Sequence, residues 1–465
     1  MTGNLRPYPE YKDSGVDWLG AIPIHWTTRR IKSLSIVKRG ASPRPIGDPR
    51  YFSEQGEYSW VRISDVTASK TKYLEHTKQQ LSEIGKSYSV ALEPGSLFLS
   101  IAGSVGKPII TNIKCCIHDG FVYFPTFRGN AHFLYYVFAS GLPYAGLGKL
   151  GTQLNLNTDT VGKIVIGFPS PDEQDVIVHF LDVAERRIRR YIRAKQKLIK
   201  LLNEQKQTII QQAVTRGLNP NASMKDSEIE GVGMIPEHWD VRLNQRIFKE
   251  NIRPYEGTEE IQLSLSQIDG LIPKNQMKER SLQTSTFKNW KITLPGDLVL
   301  NRFKAHLGVF FATTLRGIVT FHYGVFEPQI ELRTKFYEYL YHTAPYKGIY
   351  AWRSNGMTVG LQNLSNQNFY NVRTLVPPIE EQDQILDYIE KSTATLDNAI
   401  DVTKREIDYI NEFRVRLIGD IVTGKVDVRG LMFEMPEEFD NDELIDVDED
   451  NLLEDDELEE VFDGE

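Results

Sequence analysis

No group of side chains in this sequence has both the types and the spacing of a catalytic centre. Gly419-Asp420-Ile421-Val422-Thr423-Gly424-Lys425-Val426 comes close to a phosphate-binding loop. However, Val426 stands where a Ser or Thr would hold magnesium, and the segment ends a helical pattern where such a loop should open one. Cys115, Cys116 and His118 crowd together without a second ligand pair at zinc spacing. The nine histidines are scattered, and neither a Gly-x-Ser-x-Gly elbow nor an Asn-Pro-Pro-aromatic methyltransferase motif occurs. Sets suited to hydrogen-bonded reading of a polyanion do occur. Base edges call for bidentate side chains, and phosphates for basic groups and backbone amides. Arg44, Arg50, Tyr51, Arg62, Ser64, Lys70 and Lys72 form one such set, followed by a glycine-rich stretch, Ala102–Lys107, whose Ser104, Lys107 and amides suit a phosphate. Arg253, Asn301, Arg302, Lys304, His306, His322 and Tyr323 form a second. Two Gly/Asn/Gln segments, Lys149–Asn157 and Arg353–Asn363, hold matching positions further along, the latter offering Arg353 and Asn355.

The elements that must position these sets repeat along the chain. Lys12-Asp13-Ser14 and Gly20-Ala21-Ile22-Pro23-Ile24-His25-Trp26 recur 213 residues later as Lys225-Asp226-Ser227 and Gly233-Met234-Ile235-Pro236-Glu237-His238-Trp239. Pro94-Gly95-Ser96-Leu97-Phe98-Leu99 recurs after 201 residues as Pro295-Gly296-Asp297-Leu298-Val299-Leu300, and Pro169–Gln174 after 208 as Pro377–Gln382. The frame is duplicated and the filling is not. The position of His25 and His238 in the frame favours a packing role. Between markers, β-branched and aromatic runs at 58–63, 107–110, 121–124 and 317–321 predict strands, and Ala131–Ser140 and Thr334–Thr343 predict helices. Each filling is thus an α+β head with a mixed sheet.

A long helix follows each head, Asp172–Gly217 and Glu380–Lys425. Ile188, Ile192, Ile199 and Leu202 mark the apolar stripe of the first, interrupted by Lys195 and Lys206. Leu396, Ile400, Ile407 and Ile410 mark that of the second, interrupted by Thr403 and Arg414. So narrow a stripe is a coiled-coil seam, and each helix would be roughly 65 Å long. Eight basic residues between Arg186 and Lys200 answer Asp397, Asp401, Glu406 and Asp408, which favours antiparallel pairing of the two. The division expected is a head at 1–171, a helix at 172–217, a head at 218–379, a helix at 380–425 and a tail at 426–465.

Net charge divides the chain again. From Glu434 onward there are 18 Asp or Glu and no Lys or Arg, so the formal −9 of the whole conceals a body of about +9. A basic body with a disordered acidic tail suits a chain that meets a polyanion. No apolar run reaches 18 residues and no secretory leader is present, so no membrane partner is expected. Two adjacent cysteines suit a reducing, cytoplasmic setting.

On Gly20–Trp26, Gly233–Trp239, Pro169–Gln174 and Pro377–Gln382, residues 8 to 430 resemble the specificity subunit of Type I restriction-modification systems. The resemblance implies a non-catalytic chain whose two heads are target recognition domains. Each would read one half of an asymmetric, bipartite double-stranded DNA site. The helices would set the gap and dock two methyltransferase subunits, with motor-nuclease subunits joining them. S-adenosylmethionine, ATP and Mg would be used by those partners, with no cofactor in this chain. A scaffold for two proteins that does not read DNA, or a stand-alone nuclease, are the alternatives.

Overall fold

The computed structural model describes residues 5–145, 147, 156–257, 259–266, 270–277, 287–354 and 363–431. The acidic tail, Asn355 and most of Lys149–Asn157 and Arg353–Asn363 lie outside them. The chain forms two units, Met1–Gln196 with Lys404–Phe439, and Lys197–Thr403 with Asp440–Glu465. Each unit holds one head, the near end of its own helix and the far end of the other helix. No described helix is long and apolar enough to cross a membrane.

The Pro-Gly marker builds the centre of each head. Gly95 and Gly296 take positive φ (86° and 93°), a conformation that disfavours any side chain, and turn the chain into the strands Leu97–Ser100 and Leu298–Asn301. Side chains alternate across a strand. Leu97 and Leu99 therefore enter one core while Phe98 enters another on the opposite face. Leu298 and Leu300 likewise face away from Val299. A strand buried on both faces reads as an unbroken apolar run, and this is what the marker contains.

In the first head this strand lies in a five-stranded sheet in the order 38–39, 121–123, 97–100, 108–111, 73–74. A four-stranded sheet runs 79–81, 58–61, 115–117, 90–92. The second head repeats the central ladder in the order 248–250, 323–328, 298–301, 310–312. Helices Ala131–Ala139 and Thr334–Tyr341 cover the sheets as expected, and Ala344–Arg353 is an additional helix.

The long helices span Pro171–Arg216 and Ile379–Val422. Their antiparallel pairing is visible in the ion pairs that cross the seam. Glu185 meets Arg414 at 2.7 Å and Lys195 meets Glu406 at 2.6 Å in the first unit, and Lys206 meets Asp397 at 2.5 Å in the second. As the number rises on one helix it falls on the other. Lys195, Lys206 and Arg414, which interrupt the apolar stripes, are the residues that make these bonds. Ile188 and Ile400 are buried, while Ile192, Ile199, Leu202, Leu396, Ile407 and Ile410 are half-buried, as a two-helix seam requires. Of the basic block, Lys195 meets Glu406 of the acidic block across the seam, while Arg190, Arg193, Lys197 and Lys200 are exposed. The complementarity is carried by individual pairs at seam positions.

The Glu-Gln marker explains itself at each helix start. Buried Gln174 donates to Pro169 O and accepts from the Asn130 amide; buried Gln382 donates to Pro377 O and accepts from the Arg333 amide. Glu173 bonds His25 at 2.9 Å and Glu381 bonds His238 at 2.7 Å. The frame histidines are therefore polar ties from head to helix, and His25 also packs against the Tyr8 ring, with centroids 5.7 Å apart. Both tryptophans of the frame are fully buried. In the second unit the segment following the first helix is continuous. In the first unit its place is taken by two separate pieces, with Asp427 N bonded to Arg6 O and Arg429 stacked over Tyr8.

A buried histidine makes the second head acid-sensitive. Burial lowers the His342 pKa from 6.5 to about 4. Because the folded value lies below the unfolded one, the unfolded chain binds the extra proton. The stabilisation is thus complete above pH 6.5 and is lost as pH falls from there toward 4. On the order of 3 kcal/mol is at stake, and His342→Phe should flatten the urea-midpoint profile in that window.

Candidate nucleic-acid interface

The two heads present the same backbone and different chemistry at one rim of the central sheet. Ser100 pairs with Phe121 and Asn301 with Tyr323, and in each head the strand after the turn closes on an amide bond to the residue three before it. Phe121 N donates to His118 O, and Tyr323 N to Thr320 O, both at 3.1 Å. The turn residues 119–120 thus correspond to 321–322, and Ala102 to Phe303.

In the first head the rim is ionic. Asp119 accepts from Ser42 Oγ at 2.8 Å and from Arg44 at 3.0 Å, while Arg39 Nε donates to its carbonyl. Burial opposes its ionisation, but Ser42 and the arginines outweigh it and hold its pKa below the usual carboxylate value. Arg44 is exposed beside this site, and Arg50 is exposed and paired with Asp48. Arg62, Ser64 and Lys70 are exposed, Arg62 bonding Gln79.

Other members of the first set are committed elsewhere. Tyr51 is buried, with its hydroxyl on Arg44 O. Lys72 is enclosed against the first long helix, bonded to Asp182 and set over the Tyr136 ring. Ser104 bonds Thr67, and Lys107 donates to the carbonyls of Thr67 and Ser69. In the glycine-rich loop three amides are already taken, Val105 N donating to Gly103 O, Gly106 N to Ser100 O and Lys107 N to Ser104 O. Its glycines answer to packing: a Cβ at Gly103 would lie 2.9 Å from Ile63, and one at Gly106 2.8 Å from the Tyr144 ring.

The second set divides in the same way. Arg253 bonds buried Asp297 at 2.6 Å and Glu327 at 3.0 Å; Arg302 bonds Glu250 at 2.8 Å, and Lys291 shares that carboxylate. Asn301 and Tyr323 are buried, Asn301 capping the Phe303 amide. Lys304, His306, His322 and Arg353 are half-buried. Residues not among the sequence candidates stand out here: Phe303 and Phe321 are exposed and flank His322 with ring centroids at 5.5 and 3.7 Å, and Trp352 is 85% exposed. Aligning the turns by ladder register would have found the first two.

Residues 23–201 match the family model of the Type I restriction modification DNA specificity domain. That match takes in most of the first head and runs on into the first long helix. A chain from a structure of the type I R-M system covers 86% of this chain and 98% of itself, at 15% identity and TM-score 0.61, which shows the shared fold. The HsdS subunit from Thermoanaerobacter tengcongensis aligns over 87% of this chain and 98% of its own at 15% identity and TM-score 0.43. The ionic rim of the first head lies inside the matched segment, and the aromatic rim of the second head lies outside it. Across the two heads what stays constant is the frame, and what changes is the rim.

Proposed function

We propose that this chain is the DNA-recognition subunit of a Type I restriction-modification enzyme, with one half-site of an asymmetric double-stranded target read by each head. The observation that carries this reading is the repeated sheet whose rim is ionic in the first head and aromatic in the second. Two different surfaces on one scaffold suit two different half-sites. The paired helices would hold the gap and dock the two methyltransferase subunits, with the motor-nuclease subunits joining that complex. Exposed Tyr191 and Tyr409 in the first unit, and Leu198, Leu201 and Val402 in the second, offer such partners apolar contacts. Catalysis, S-adenosylmethionine, ATP and Mg would belong to those partners.

Methylation mapping in cells carrying the whole system should return two unlike half-sites at a fixed gap. Exchanging 218–379 for the equivalent head of a relative should change one half-site and spare the other. A change in both, or equal gel-shift affinity for target and scrambled duplex, would contradict the reading; the latter outcome is the one a protein scaffold predicts.

A further inference from the structure

The aromatic rim of the second head is built for a contact that hydrogen-bonding residues cannot make. Phe321 and His322 occupy the two central positions of the turn Thr320–Tyr323, with their rings 3.7 Å apart, and Phe303 supports His322 from the neighbouring loop. Phe303 and Phe321 remain exposed although the same head buries Phe310, Phe326, Phe336 and Phe369 completely. Register places this cluster where the first head presents Asp119 held by Ser42 and Arg44. It lies in the filling, which differs between heads, and not in the frame, which is shared. Selectivity has to reside in the part that differs.

Resting on the recognition reading above, we infer that Phe321, backed by His322 and Phe303, reads the second half-site by apolar contact with a thymine methyl group. Phenylalanine has no donor or acceptor with which to distinguish base edges. In the major groove thymine alone presents an apolar group, its C5-methyl. The rings of Phe321, His322 and Phe303 pack against one another and form an apolar platform beside the turn. Lys304 follows Phe303 directly in sequence, and a basic residue beside the cluster suits the DNA backbone.

The test uses the full chain with its modification subunits on duplexes carrying the mapped target. Phe321→Ala should weaken binding about tenfold, a change of roughly 1.4 kcal/mol, with melting temperature unchanged because the side chain is exposed. Replacing thymine by deoxyuridine in the second half-site should weaken the wild type several-fold and add nothing to the loss in Phe321→Ala, while Phe321→Leu should restore part of the affinity. The same replacement in the first half-site should cost both proteins equally. Wild-type affinity in Phe321→Ala, additive losses, or a second half-site without an A·T pair would overturn the inference while leaving the recognition reading intact. If the wild-type complex fails to distinguish target from scrambled DNA, it is the recognition reading that falls.

Discussion

Trp239→Ala should cost the second unit about 3–5 kcal/mol, the range for truncating a large core aromatic. That is a large part of the 5–15 kcal/mol by which folded domains are ordinarily stable. Trp239 is fully buried and packs beside Gly217 at the end of the first helix, while its indole Nε1 donates to Glu381 Oε2 at 3.0 Å. It joins a head to the ends of both helices within its unit. Trp26 is equally buried in the first unit, against Gly167 and Gly424, but its Nε1 has no partner among the described residues. Glu173, the counterpart of Glu381, takes its bond from Tyr8 at 2.8 Å instead. Substitution by phenylalanine separates these roles, because the ring volume lost is the same at both sites. Trp239→Phe should cost about 1–2 kcal/mol more than Trp26→Phe, the difference being a hydrogen bond to a carboxylate. Tyr8→Phe should supply the missing penalty in the first unit. Equal urea midpoints for the two Trp→Phe proteins would show that the Glu381 bond contributes nothing.

The parts of this architecture that were legible in the sequence are those determined by local periodicity and by repetition. A stripe at steps of three and four specifies a seam, and a doubled Pro-Gly marker ahead of Leu-x-Leu specifies a central strand with a core on each side. The helix Ala344–Arg353 is hard to see locally because it contains Pro345 and Gly348, although proline is well tolerated in the first helical turn. Long-range pairing was not legible either. Lys72, Arg253 and Arg302 have the composition of DNA contacts, but their partners Asp182, Asp297 and Glu250 lie 110, 44 and 52 residues away. Nothing in the local sequence announces which basic residue will be withdrawn into such a pair. The aromatic rim is illegible for the opposite reason, since phenylalanine carries no donor or acceptor that would mark it as a base contact.

That withdrawal can be measured by comparing two arginines, one in each head. Arg253→Ala would leave Asp297, whose side chain is only 4% exposed, with the Thr293 hydroxyl and the Leu294 amide as its remaining donors. A buried carboxylate deprived of its cation is expensive, and the loss should be about 3 kcal/mol, read as a lower melting temperature and urea midpoint. Affinity per folded molecule should be unchanged. Arg44→Ala removes a guanidinium that is 77% exposed and paired with Asp119 at the surface, so stability should change by less than about 1 kcal/mol. If Arg44 makes a bidentate contact to a base, its removal should cost roughly 1–3 kcal/mol of binding, confined to the first half-site. The two substitutions therefore predict opposite pairs of results from the same two measurements. A wild-type melting curve for Arg253→Ala together with lost affinity at the second half-site would return Arg253 to the reading surface, and would mean that its ion pair with Asp297 opens when DNA binds.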